Sequence, residues 1–383
     1  HIVEPGLAEA VREAVSAGRL RASLEPVPGD VYVVVVPTPF KGNHEPDVSY
    51  VEAATRSVVP LLKEDDLFVI ESTSPVGTTD RMARLIFAER PELEGKLSVA
   101  YCPERVLPGN VLYELVHNDR VIGGIIGDIV GAVYEFDNYR AKDFKLFADY
   151  HGHKCFATDD SIMTLAICKA VMNSKSVAEL EQNAVRYMRE VGKPYPYCGY
   201  GGRFMDWMYS DYPVPYNSFG NGAAMRVSPV AYAASSLEEA EGFAGIVTRV
   251  THNHPEGIKG AKATAGMVWL ALNGYSKEQL DEYACSFYDI EFTLDEIRPT
   301  YRFNETCQET VPQAFEAFLE STDFEDAIRN AISVGGDSDT LACITGSIAG
   351  AYYGVPKFLE EKAITFLDDR LKRIYDAFAK SAD

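Results

Sequence analysis

Apolar residues along the chain follow two rhythms. Up to about residue 123, short β-branched or aliphatic runs alternate with amphipathic stretches. Segments 31–36, 67–70 and 97–101 read as buried parallel strands, and 6–18, 47–63 and 78–90 as helices, with Asp47 and Ser49 placed to cap the second. Strand–helix alternation with short connections predicts a parallel α/β sheet. From about residue 126 the strand signal fades. Helices are predicted over 160–172, 176–191, 237–250, 261–273, 311–320, 324–334, 341–353 and 356–380, with Gly/Pro/aromatic-rich loops between them, notably 192–221. The expected organisation is two parts, 1–123 and 124–383, meeting at Gly123-Gly124 without a Pro/Ser-rich linker. There is no internal repeat.

Composition narrows the function classes. The 383 residues hold 36 Lys+Arg against 57 Asp+Glu, a net charge of -21, with 46% hydrophobic and 24% charged residues. That balance is globular, and its acidity argues against a phosphate backbone or an anionic lipid surface as partner. No apolar stretch nears the roughly 20 residues that span a bilayer, and His1-Ile2-Val3-Glu4 does not read as a secretory signal. Seven scattered cysteines without a CxxC pair argue against a disulfide framework or a structural zinc site. A reducing, cytoplasmic setting is the expectation.

Two acidic segments stand out, each at the start of a predicted apolar helix: Thr158-Asp159-Asp160-Ser161 and Gly336-Asp337-Ser338-Asp339-Thr340. Either alone reads as a helix cap, since Asp, Ser and Thr accept first-turn N–H groups. Together they supply four carboxylates where capping needs one oxygen each. Such a cluster repels itself unless a cation neutralises it. Oxygen donors without His or Cys select Mg²⁺, Mn²⁺ or Ca²⁺, and a pair of such ions can bridge carboxylates.

With these motifs the sequence from about Gly124 to the C-terminus resembles the ADP-ribosylglycohydrolases of the dinitrogenase-reductase-activating glycohydrolase type. Further segments carry the likeness in the family's order: Ile126-Gly127-Asp128-Ile129-Val130-Gly131-Ala132-Val133-Tyr134-Glu135 is similar to its opening helix, Ser218-Phe219-Gly220-Asn221-Gly222-Ala223-Ala224-Met225-Arg226 to its ADP-ribose loop, and Thr251-His252-Asn253-His254-Pro255-Glu256 to a helix-junction motif. The resemblance implies an all-α orthogonal bundle that hydrolyses the glycosidic bond between ADP-ribose and a protein side chain or other acceptor. It implies two Mg²⁺ (or Mn²⁺) ions held by Thr158, Asp159, Asp160, Asp337, Asp339 and Thr340, with Ser218, Phe219, Gly220, Asn221, Gly222 and His252 on the substrate. Glycines and Asn tolerate the backbone conformations in which successive N–H groups converge on an anion. Glycoside cleavage through an oxocarbenium-like state uses carboxylates; Asp159 is the candidate base and Glu135 the candidate group orienting the scissile bond. His254 reads as structural.

Residues 1–123 resemble the NAD domain of UDP-N-acetyl-D-mannosaminuronate dehydrogenases, through Val36-Pro37-Thr38-Pro39-Phe40-Lys41-Gly42-Asn43-His44-Glu45-Pro46-Asp47, Glu71-Ser72-Thr73-Ser74-Pro75-Val76-Gly77-Thr78-Thr79 and Tyr101-Cys102-Pro103-Glu104-Arg105-Val106-Leu107-Pro108-Gly109. This part reads as an incomplete Rossmann-like sheet. No G-x-G-x-x-G follows a first strand, the family's catalytic lysine and cysteine are missing, and strand 31–36 is left as an edge. The expectation is a truncated remnant that does not bind NAD. The alternatives are an NAD-dependent nucleotide-sugar dehydrogenase, disfavoured by the missing glycine loop, and a non-catalytic ADP-ribose-binding protein, disfavoured by the retained Asp337/Asp339 pair.

Overall fold

The computed structural model describes residues 7–37, 47–72, 75, 77–101 and 121–380. The chain divides into two compact units, 1–116 and 117–383.

In the first unit the helix α1 (Leu7–Ser16) precedes β1 (Val31–Val34), α2 (Ser49–Val58), β2 (Leu67–Ile70), α3 (Thr78–Glu89) and β3 (Ser98–Tyr101). The strands form a parallel sheet in the order β1-β2-β3, with Val31 opposite Leu67 and Leu67 opposite Ser98. Its core joins Tyr32, Val34, Phe68 and Ile70 of the sheet to Val51 of α2 and to Met82 and Ile86 of α3. The sheet is as expected, but β1 is not buried on both faces. Val31 and Val33 are 57% and 52% exposed, and among the described residues β1 pairs only with β2. Most of the dehydrogenase-like motifs, Cys102 among them, lie outside the described residues.

The second unit is helical: α4 (Ile122–Gly131), α5 (Asp159–Met172), α6 (Val177–Gly192), α7 (Gly202–Tyr209), α8 (Ser228–Ala233), α9 (Leu237–Arg249), α10 (Pro255–Leu272), α11 (Lys277–Cys285), α12 (Leu294–Ile297), α13 (Cys307–Leu319), α14 (Phe324–Ser333), α15 (Ser338–Tyr353), α16 (Lys357–Ile364) and α17 (Asp369–Lys380). The expected junction at 123/124 falls inside α4. Segment 192–221, expected as loop, contains α7, whose Phe204, Trp207 and Met208 are buried at helical spacing. Segment 356–380, expected as one helix, is two. Asp368 starts the second by accepting from the backbone N–H of Arg370 and Leu371, both at 2.9 Å. None of the six cysteines among the described residues is in a disulfide.

α15 is the centre of this unit. It is buried from Ser338 to Gly350 and packs against α4, α10, α13 and α14. α4 lies unusually close to it. A Cβ on Gly127 would sit 1.9 Å from the Ala342 carbonyl oxygen, and one on Gly131 would sit 2.5 Å from that of Ser338. Only glycine permits this approach, and it brings Asp128 of α4 beside the first turn of α15.

Candidate functional site

The two acidic segments meet because each begins a helix of this core. Thr158 is the N-cap of α5 and Asp337 that of α15, so their carboxylates gather where two helix N-termini offer partial positive charge. Thr340 Oγ1 donates to Asp160 Oδ2 at 3.3 Å and joins the two segments directly. One carboxylate oxygen each from Asp128, Asp160 and Asp339 lie within 4.8 Å of one another, and the same holds for Glu135, Asp337 and Asp339.

Asp128 belongs to neither acidic segment. It is completely buried and accepts from Thr158 N–H (3.0 Å), Thr158 Oγ1 (2.6 Å), Ser161 N–H (3.0 Å) and the Ser161 hydroxyl. It therefore pins the first acidic segment in place. The visible signal was a single carboxylate in the otherwise apolar run Ile122–Gly131, since a lone charge on a buried face needs partners.

The site's electrostatics follow from crowding and burial. Burial, then Asp339 and Asp128, raise Asp159 and Asp160 well above the usual carboxylate range. Burial, then Asp337, does the same for Asp339. Burial pushes Asp128 and Asp337 up to about 6, and burial, then Asp339, pushes Glu135 up to about 8. Asp160 Oδ1 is buried without a hydrogen-bond partner. An unpartnered carboxylate oxygen in an all-oxygen cluster fits a hard divalent cation.

A cavity of about 370 Å³ opens beside this cluster. Of the residues singled out in the sequence, Glu135, Asp159, Asp160, Ser218, Phe219, Gly220, Asn221, Gly222, His252, Asp337, Asp339 and Thr340 line it; Thr158 lies behind the wall, its hydroxyl engaged with Asp128 and the Asp160 N–H. The wall also includes Gly199, Arg203, Tyr216, Arg226 and Glu305, none of which the sequence reading picked out as site residues. Gly199, at φ 96°, leaves room for the Asp159 carboxylate; a Cβ there would stand 2.7 Å from Oδ1. The lining thus combines these carboxylates with Arg203, Arg226 and the 220–222 segment.

Hydrogen bonds fix the loop that carries Ser218 to Gly222. Asn217 N–H donates to Asn253 Oδ1 (2.7 Å), Asn221 N–H to the Glu305 carbonyl (2.8 Å), and Asn221 Nδ2 to Asp337 Oδ2 (2.6 Å). His254 caps α10 by accepting from Glu256 N–H at 3.1 Å.

Comparisons with known proteins separate the same two parts. The family model described as ADP-ribosylglycohydrolase matches residues 119–382, and that of the UDP-glucose/GDP-mannose dehydrogenase family, NAD binding domain, matches 1–134. UDP-N-acetyl-D-mannosamine dehydrogenase of Escherichia coli (strain K12) is 45% identical over 182 residues, covering 45% of this chain and 40% of its own length. The Salmonella typhi enzyme of the same name is 53% identical over 133 residues, covering 33% and 32%. The chain thus spans two fifths or less of these relatives. A solved ADP-ribosylglycohydrolase-related protein complex superposes with a TM-score of 0.52 at 21% identity, over 70% of this chain and 100% of that one. At that identity the likeness concerns the fold alone.

Proposed function

The chain belongs to the ADP-ribosylglycohydrolase family through residues 119–382, and we propose that its second unit catalyses metal-dependent hydrolysis of the bond between ADP-ribose and a modified protein side chain or other acceptor. One observation carries this reading: the convergence of Asp160, Asp337, Asp339 and Glu135 in a cavity that Arg203 and the 218–222 loop also line.

In this reading Asp159, Asp160, Asp337, Asp339 and Thr340 would hold two Mg²⁺ or Mn²⁺ ions, with Thr158, expected among the ligands, held behind them by Asp128. Bound there, such ions would supply positive charge that offsets the carboxylates. The protein's own groups do the rest. The Gly222 N–H and the Ser218 hydroxyl hold the anionic linker, and the partly exposed Phe219 ring offers a face to the base. Glu135 orients the scissile bond. Asp159 takes a proton from the water that adds to the anomeric carbon as the bond to the acceptor breaks, and passes that proton to the departing acceptor.

The dehydrogenase likeness of residues 1–134 supports a second reading, NAD-dependent oxidation of a nucleotide sugar. The chain as it stands has no G-x-G-x-x-G, so NAD is given no part here.

A panel of ADP-ribose conjugates to arginine, serine, a nucleic-acid base and small alcohols, incubated with the full chain and either metal, tests the assignment. Free ADP-ribose is expected from at least one conjugate; release from none contradicts it.

A further inference from the structure

Arg226 is a large, fully buried side chain, 1% exposed, and none of its hydrogen-bond partners is a carboxylate. Its Nη2 donates to Thr251 Oγ1 at 2.6 Å and stands 3.3 Å from His252 Nδ1; its Nε has no partner. A buried guanidinium so placed, with its Nε unpaired, needs a reason, because leaving a buried polar group without a hydrogen bond is costly.

The ring of His252 supplies one. Its Nδ1 is approached by Arg226 Nη2 and, at 2.8 Å, by Thr251 Oγ1. A guanidinium only donates. The Thr251 hydroxyl, already accepting from Arg226, turns its own proton toward Nδ1, because the alternative acceptor, the Thr248 carbonyl, is farther at 3.3 Å. Nδ1 must therefore accept, and the ring's proton sits on Nε2. The Nε2 edge faces the ligand loop: Cβ atoms built on Gly220 and Gly222 would each lie 3.5 Å from it. The charged groups facing the ring, Arg226 and Arg203, both oppose an imidazolium, as does burial. Tyr216 packs tilted on the ring at 5.8 Å and leaves the Nε2 edge toward the cavity.

We propose that Arg226 is a positioning residue that, with Thr251, locks His252 as the neutral Nε2–H tautomer, so that this wall offers an oxygen-bearing ligand a hydrogen-bond donor and not a base. The ligand's identity rests on the proposed function; the tautomer does not.

Long-range ¹H–¹⁵N spectra of the full ¹⁵N-labelled chain test it, with the His252 signals assigned by their loss in His252→Gln. The expected wild-type pattern is one protonated Nε2 and one bare Nδ1, unchanged from pH 6 to pH 9. A protonated Nδ1, or an imidazolium forming near pH 6.5, overturns the proposal without any variant having to fold. In calorimetry with ADP-ribose, Thr251→Val and Arg226→Met should each weaken binding about tenfold, and Arg226→Met should cost nothing further in the His252→Gln background. An undiminished Arg226→Met effect in that background shows that Arg226 does not act through His252. Failure of wild type to bind ADP-ribose counts against the proposed function and leaves the tautomer result standing.

Discussion

Asn221 Nδ2 donates to Asp337 Oδ2 at 2.6 Å across 116 residues of sequence, tying the glycine loop to the second acidic segment. The same amide nitrogen lies 3.2 Å from Thr310 Oγ1. Asn221→Ala removes the tie while leaving the backbone donors of the loop. ADP-ribose affinity should fall roughly tenfold, the equivalent of one lost hydrogen bond to a charged group. The melting temperature should move only a few degrees. Calorimetry on the full chain reads the first and thermal unfolding the second; unchanged affinity contradicts the role given to Asn221.

The glycines of α4 set the distance to α15, and with it the place of Asp128. Gly127→Ala drives a methyl into the Ala342 carbonyl at 1.9 Å, so the helices must separate. A loss of about 2 kcal/mol or more is expected in chemical unfolding, together with weaker divalent-cation binding. A variant as stable as the wild type would show that the approach of α4 to α15 is not constrained.

The acidic cluster makes stability depend on pH in a definite direction. A carboxyl whose pKa is higher in the fold than in the unfolded chain stabilises the fold at low pH, and that contribution is lost as pH rises through the folded value. Asp128 and Asp337 rise from 3.8 to about 6, and Glu135 from 4.5 to about 8. In excess chelator, melting temperature should therefore fall between pH 5 and pH 8, by on the order of 5 °C or more. Added Mg²⁺ should reduce that fall, because a bound cation favours the ionised forms. A melting temperature that rises with pH in chelator contradicts the assignment.

NAD binding by the full chain should be weaker than about 1 mM in calorimetry, since its sequence holds no G-x-G-x-x-G to receive the pyrophosphate. Micromolar affinity would restore the dehydrogenase-like unit to a working role.

Much of this architecture is legible in the residues, and the gaps have physical causes. The strand 67–70 and the helix start at Phe324 coincide with what periodicity predicts, because apolar runs with clear breaks leave one register. Helix α10 begins at Pro255, two turns before the predicted 261, since Pro255 and Gly257 read as loop formers although proline is at home in a first turn. The two acidic segments announce themselves by charge repetition. Gly199 and Arg226 do not, and Asp128 does so only as a lone charge in an apolar run, because their importance lies in what they touch: the Asp159 carboxylate, the His252 ring, and the Thr158 and Ser161 donors. None of those contacts has a sequence spacing.

The most direct test of the account is release of free ADP-ribose by the full chain, with Mg²⁺ or Mn²⁺, from whichever conjugate the panel identifies, comparing wild type with the double variant Asp337→Asn, Asp339→Asn. The account predicts turnover by the wild type that stops in excess EDTA and is abolished in the variant. Unchanged turnover in the variant, or full wild-type activity in EDTA, would contradict it.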